Sequence, residues 1–317
     1  MNRILFHLLF LCSLFSCTCP ERENRITKET FLYSVKESDS LYLDRYASTT
    51  ITKPEACVIF LFGGGFVGGQ RDSEDYLSYF RTLAEAGYTV FSIDYRLGLK
   101  EVDGRIFASP EQFVSQLKYA INLAVEDLYD ATNYVLNRPE WNLNPNRIIL
   151  SGSSAGAISV LQAEYELVNN STLAQKLPKG FNYAGILSFA GAVLSLHGDL
   201  SLNDKTCPMM LFHGNADANV PYDKLELGDV GFYGSKHIAN KLKEGGRPYH
   251  FYQVNNAAHE IANTPMTENL SEIKTFIEKF ILKQQLYSIE SVIDRIGAPE
   301  LKKDFELNDY IITNFGK

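Results

Sequence analysis

The sequence predicts an α/β protein, a mostly parallel twisted sheet with helices on both faces. Three observations lead there. Residues 56–62 form a continuous apolar run, the mark of a strand buried on both faces. Further strand-like runs at 88–93, 147–150, 184–190, 209–212 and 249–254 alternate with helix-period patterns. The N-terminal strands differ: Phe31, Tyr33 and Val35, then Leu41 and Leu43, alternate around Glu37-Ser38-Asp39-Ser40, which predicts an antiparallel hairpin.

Each helix has its own signals. The first starts near Ser73, places Tyr76, Phe80 and Leu83 on one face and stops at Gly87. Ser109-Pro110-Glu111-Gln112 is a capping box with proline at the first helical position. The helix it opens is long, with Phe113, Leu117, Ala120, Ala124, Leu128, Ala131 and Val135 in one stripe, and Asn137-Arg138-Pro139 ends it. A third helix carries apolar residues at 158, 161, 165 and 168, a fourth spans 234–244 up to Gly245-Gly246, and a closing one carries Ile273, Phe276, Ile277 and Phe280. Residues 31–285 thus form one domain. Residues 286–317 show a mixed-charge helical pattern through Leu286, Ile289, Val292, Ile293 and Ile296, and are expected to be a packed helical appendage.

The first 30 residues stand outside this domain. Met1-Asn2-Arg3 carries a positive charge, and the apolar run from Ile4 to Phe15 is too short to span a bilayer but suits a signal-peptide core. Residues 1–16 are expected to be a signal peptide and 17–30 a tether. Leu14-Phe15-Ser16-Cys17 resembles a bacterial lipobox, which implies lipidation of Cys17 and an exported lipoprotein on the cell envelope. Cleavage near Ser16 or Thr18, giving a soluble secreted or periplasmic product, is the alternative. Any membrane contact is expected only through that N-terminal lipid.

Composition narrows the partners. A chain of 317 residues with 45% apolar and 21% charged content can bury a substantial core. The net charge of −8 argues against nonspecific nucleic-acid binding. Cys57 and Cys207 each lie near the start of a strand-like run and are expected to be buried free thiols. There is no disulfide framework and no C-x-x-C pattern, and the chemistry below calls for neither metal nor cofactor.

That chemistry centres on Ser151-Gly152-Ser153-Ser154-Ala155-Gly156, between a strand and a helix. Residues 152–156 fit G-x-S-x-G, a sharp turn that exposes the central serine. A serine is a weak nucleophile and needs a base, which in turn needs an orienting carboxylate. Asp217 lies on the loop after the strand ending at Phe212, and His259 on the loop after the strand ending at Val254. The order Ser154, Asp217, His259 is the one expected in folds that carry such a serine turn. His213 sits at a strand end and is expected to be structural; His250 lies inside a strand, and His197 and His237 precede it. Acyl transfer also needs donors for a developing oxyanion. Phe62-Gly63-Gly64-Gly65-Phe66 follows the 56–62 strand, so the N–H groups of Gly64, Gly65 and Ala155 are the candidates.

Taken together, Gly63-Gly64-Gly65, Asp94-Tyr95-Arg96, the 152–156 turn, the 213–222 segment and His259 resemble the α/β-hydrolase superfamily, specifically its HGGG-type esterases and lipases. The resemblance covers residues 30–285 and is nearest to the acetylxylan/feruloyl esterase-like (BD-FAE-like) group. It implies a serine carboxylic ester hydrolase acting on short-chain or carbohydrate-linked acyl esters, with a small-molecule or polysaccharide ester as substrate. A serine peptidase of the same fold and a non-catalytic surface-binding lipoprotein are the alternatives. Phe62 stands where the family motif has histidine, which puts in question how the glycine loop is held. Asp94 and Arg96 are expected to fix that loop by ion pairing, and Phe66, Tyr95, Phe107 and Tyr222 are candidate cleft-lining residues. Segments 98–108, 191–206 and 222–233 are the short loops available for a lid. Gly63-x-Gly65-x-x-Gly68 also mimics a dinucleotide fingerprint, but no helix opens at its third glycine.

Overall fold

The computed structural model describes residues 26–37, 39–102 and 109–315. The chain opens with the hairpin β1 (Ile26–Lys36) and β2 (Asp39–Ser48), then runs through β3 (Cys57–Leu61), α1 (Glu74–Glu85), β4 (Thr89–Ile93) and α2 (Pro110–Leu136). Next come β5 (Ile148–Ser153), α3 (Ala155–Val168), β6 (Gly185–Phe189), β7 (Ala192–Ser195) and β8 (Met209–Gly214). β9 (Lys224–Leu227), β10 (Val230–Gly234), α4 (Ser235–Glu244) and β11 (Tyr249–Asn255) follow. The chain closes with α5 (Pro265–Glu268), α6 (Leu270–Phe276) with a π-helical continuation over Ile277–Leu282, β12 (Ser288–Asp294) and α7 (Leu307–Phe315).

Among the described residues, nine strands form one sheet in the order β1-β2-β4-β3-β5-β6-β8-β11-β12. The β1–β2 and β2–β4 pairs are antiparallel and every pair from β4 to β12 is parallel. From β3 the chain steps through α1 to β4 in one direction, then through α2 to β5 and onward in the other. Right-handed crossovers taken in opposite directions put α1 on one face and α2, α3 and α4 on the other. The reversal leaves β3 beside β5, so the loops after these two strands meet at the carboxyl edge of the sheet, where open α/β sheets bind ligands.

The layers are held by dense aromatic packing. Phe60 of β3 meets Tyr76 and Phe80 of α1 at ring distances of 4.8 and 5.0 Å. Across the α2–α3 contact, Tyr129 donates its hydroxyl to the Ala163 carbonyl at 2.6 Å. Ser109 caps α2 as its sequence indicates, accepting the Gln112 N–H at 3.3 Å. Arg96 pairs with the buried Asp127 and with Glu126, while Asp94 pairs with Arg71. Both residues are therefore structural ion-pair partners, though not of each other.

Two expectations are corrected. Residues 288–294 form a strand and not a helix, adding β12 to the edge of the sheet beside β11. Ile289, Val292 and Ile293 fit a helical period, but three β-branched residues in seven favour an extended edge. Within the C-terminal segment, only α7 is helical among the described residues. Residues 191–206 and 222–233 are also not plain loops: β7, β10 and β9 pair antiparallel in a small second sheet.

Cys57 and Cys207 are buried free thiols, as expected. Glu164 of α3 lies wholly buried beside Cys207, whose N–H it accepts at 2.8 Å through Oε1. Its Oε2 has no hydrogen-bond partner among the described residues. Burial pushes its carboxyl up to about 7, and the Cys207 N–H only partly offsets this. A carboxyl raised on folding binds more protons in the native state, so its stabilising share is lost as pH rises from the unfolded value through 7. Urea denaturation should therefore show the protein losing about 2 kcal/mol between pH 5.5 and pH 8 from this group. In Glu164→Gln that loss should disappear.

Candidate active site

Ser154 follows β5 directly and adopts φ 52°, ψ −117°. This strained turn is held from three sides. The Ser154 N–H donates to the Phe189 carbonyl at 2.8 Å, its own carbonyl accepts the Ile158 N–H at 2.9 Å, and α3 starts at the next residue. The flanking glycines are required by contact. A Cβ on Gly152 would lie 2.4 Å from Gly156 O, and one on Gly156 would lie 2.1 Å from Leu61 O. The elbow helix thus rests on the backbone of β3.

Ser154 Oγ lies 2.8 Å from His259 Nε2, and His259 Nδ1 lies 2.7 Å from Asp217 Oδ2. The three residues expected to act together are brought together, from loops 42 and 105 residues distant from His259. With Nδ1 donating to Asp217, Nε2 is left free to accept the Ser154 hydroxyl. Asp217 is buried, and its Oδ1 accepts the N–H groups of Asn219 at 2.8 Å and Val220 at 3.0 Å. Burial alone would raise its carboxyl; hydrogen bonds from His213 and His259, with their charge, outweigh that and hold it well below the usual carboxylate range. Such a chain of groups can pass the serine proton to the imidazole and stabilise the cation that forms.

His213 is structural in the sense expected, with a contact the sequence did not reveal. Its Nδ1 lies 2.8 Å from Ser235 Oγ, and its Nε2 lies 3.3 Å from both Val220 O and Asp217 Oδ2. It braces the acid loop from below. The residue before the serine ties down the other side: Ser153 Oγ donates to the Ala262 carbonyl at 2.9 Å, just beyond His259. Where β8 ends, the Ala216 N–H donates to Ala257 O at 2.9 Å, and a Cβ on Gly214 would lie 2.3 Å from that oxygen. The acid and histidine loops are laced to each other.

The glycine loop faces Ser154. A Cβ on Gly63 would lie 3.2 Å from Ser154 Cβ. Gly64 and Gly65 take φ of 133° and 63°, and the Gly64 carbonyl accepts the N–H groups of Val67 and Gly68. The N–H groups of Gly64, Gly65 and Ala155 donate to no acceptor among the described residues. Phe62, which departs from the histidine of the resembled motif, stacks on Tyr95 at 4.5 Å, and the Tyr95 hydroxyl donates to the Phe62 carbonyl at 2.8 Å. An aromatic stack and one buried phenol hold the loop here.

The expected cleft-lining residues fare differently. Phe66 and Tyr95 are 1% and 3% exposed, packed under the glycine loop, so they offer a substrate almost no surface. Phe66 instead accepts the Leu99 N–H through its carbonyl at 3.0 Å. Tyr222 is half-buried behind the acid loop, edge-on to His213 at 5.8 Å and bonded to Gln253. Phe107 and Cys17 lie outside the described residues, as do the signal peptide and residues 17–25 of the expected tether; residues 26–30 are not tether but the start of β1, paired with Asp44 to Ser48 of β2. Among the described residues, no group of three or more His, Cys, Asp or Glu is placed to hold a metal ion, and no helix is long and apolar enough to cross a membrane.

Comparison with known proteins agrees with this architecture. The BD-FAE family model matches residues 43–193, just under half of the chain, from β2 through the glycine loop and elbow to β7. Among solved structures, the native form of Est2, a thermophilic esterase from Thermogutta terrifontis, is 19% identical with a TM-score of 0.57, covering 86% of this chain and 95% of that one. Its propionate-bound form is 18% identical with a TM-score of 0.56, covering 80% and 94%. A protein of Wolinella succinogenes named chaperone protein HtpG is 24% identical over 246 residues, covering 74% of this chain and 36% of that protein. The chain thus spans about a third of the length of that curated relative. With a strand order that reverses at β3, an elbow after β5 and this likeness to esterase structures, the chain has the α/β-hydrolase fold, and its residues 43–193 are similar to the BD-FAE family.

Proposed function

We propose that the protein is a serine carboxylic ester hydrolase acting on short-chain or carbohydrate-linked acyl esters. The unbroken hydrogen-bond chain from Ser154 through His259 to Asp217 carries the proposal. His259 Nε2 takes the hydroxyl proton as Ser154 Oγ attacks the ester carbonyl. The N–H groups of Gly64, Gly65 and Ala155 receive the developing oxyanion; each such donor is worth about 3 kcal/mol of barrier. His259, its cation stabilised by Asp217, returns the proton to the leaving alcohol and releases it. Water then enters, gives a proton to His259 and attacks the acyl-enzyme, and the serine is restored with release of the acid.

The substrate class is read from similarity and from context. The Thermogutta terrifontis esterase is recorded with propionate and with butyrate bound, which supports small acyl groups. The N-terminal segment is proposed to export the enzyme as an envelope lipoprotein through Cys17, where polysaccharide esters are accessible. That same esterase is recorded phosphorylated by paraoxon, which gives a direct test. The purified protein should hydrolyse p-nitrophenyl acetate and butyrate, and paraoxon should add one diethylphosphoryl group on the peptide holding Ser154, abolishing turnover. A panel that includes feruloyl esters and acetylated xylan assigns the alcohol and acyl preference. Absence of both turnover and labelling would leave a binding protein in place of an enzyme.

A further inference from the structure

The chain beyond β12 has no part in the reaction as written, yet it bonds to both loops that carry His259 and Asp217. On the acid side, Asn314 of α7 donates through Nδ2 to the Asn219 carbonyl at 3.0 Å, while Asn219 Nδ2 donates to Asn314 Oδ1 at 3.2 Å. One helical turn earlier, the buried Tyr310 points its hydroxyl at the carbonyl of Asp217, 3.4 Å away. That contact is long for an O–H···O bond, so the reciprocal amide pair is the firmer tether. Asn314 Nδ2 also donates to the Tyr310 carbonyl at 2.9 Å, which couples the two grips. On the histidine side, Asn256 Nδ2 donates to the Pro299 carbonyl at 2.7 Å, and Asn256 Oδ1 accepts the Leu301 N–H at 3.0 Å. Arg295 pairs with Glu260, whose other oxygen accepts the Ala258 N–H at 3.0 Å.

The acid loop is where such a grip has leverage. The Asp217 carboxylate is aimed by the N–H groups of Asn219 and Val220, so its direction follows the backbone of 217–220. That is the stretch α7 holds from outside. We infer that residues 295–314 form a clamp in which Tyr310 and Asn314 are positioning residues, fixing the acid loop so that Asp217 stays aligned on His259 Nδ1. The inference rests on the proposed serine-hydrolase reaction for its kinetic consequence, but not for its geometric one.

The test uses the full chain with Tyr310→Phe, Asn314→Ala and the double variant. Tyr310→Phe keeps the buried ring, and Asn314 is exposed, so the variants fold. With p-nitrophenyl acetate, the double variant should lose about tenfold in kcat with KM within about twofold, the pattern of misaligned catalytic groups with binding left intact. The low-field proton resonance of the His259 Nδ1–H···Asp217 bond should broaden or vanish in the double variant while it persists in the wild type. Unchanged kcat and an unchanged resonance would overturn the clamp, as would a rise in KM alone. If the wild-type enzyme turns over no ester, the reaction fails as a proposal and the resonance still decides the clamp.

Discussion

Ser154→Ala is expected to lower kcat for p-nitrophenyl acetate by on the order of 10^4-fold or more, with stability changed by less than about 1 kcal/mol. The magnitude follows from what is removed. Without Oγ, His259 Nε2 has nothing to deprotonate 2.8 Å away, and no acyl-enzyme forms. The N–H groups of Gly64, Gly65 and Ala155 remain, so a small residual rate by direct water attack is expected. The backbone at 154 is as strained for alanine as for serine, which is why the fold is indifferent. Steady-state kinetics with a urea melt on the same sample separates the two quantities. Retention of wild-type turnover would remove Ser154 from the mechanism.

Gly156→Ala is expected to cost about 3–5 kcal/mol, enough to deplete the soluble protein. A Cβ there would meet Leu61 O at 2.1 Å, Leu61 C at 2.6 Å and Phe62 O at 2.7 Å, all backbone atoms with no rotamer to relieve them. Relief requires lifting α3 away from β3, the central contact of the sheet, which also shifts Ala155 and Ser154. Gly68→Ala is the control, because nothing lies within 4 Å of its Cβ position, and a change within about 0.5 kcal/mol is expected. Urea denaturation of both variants reads the difference. Equal stabilities would mean that α3 can move off β3 freely.

The elbow, Asp217 and His259 were legible because each lies in a short loop after a recognisable strand, in the chain order that goes with this fold. The strands and long helices were legible for the same reason: apolar spacing is a local record of burial. Three features escaped. The role of Phe62 depends on its stack with Tyr95, 33 residues away, and no spacing records it. The strand at 288–294 was hidden because its apolar positions satisfy two periods, and its pairing to β11 is a tertiary choice. The bonds from Asn314 to Asn219 join polar side chains 95 residues apart, which look alike in sequence whether bonded or solvated. Even the contact of His213 with Asp217, four residues on, needed the turn geometry to become visible.

The backbone at Ser154, at φ 52° and ψ −117°, lies where glycine rests at ease and any side chain is strained. The residue proposed as the nucleophile is therefore also one that the fold would prefer to see replaced. Selection for activity and selection for a stable chain pull on this codon in opposite directions. A lineage released from its substrate has a downhill path at this position: a single change to glycine ends the chemistry and relaxes the fold. Inactive descendants of such a chain would be expected to keep the scaffold intact, and to carry glycine where this one carries serine.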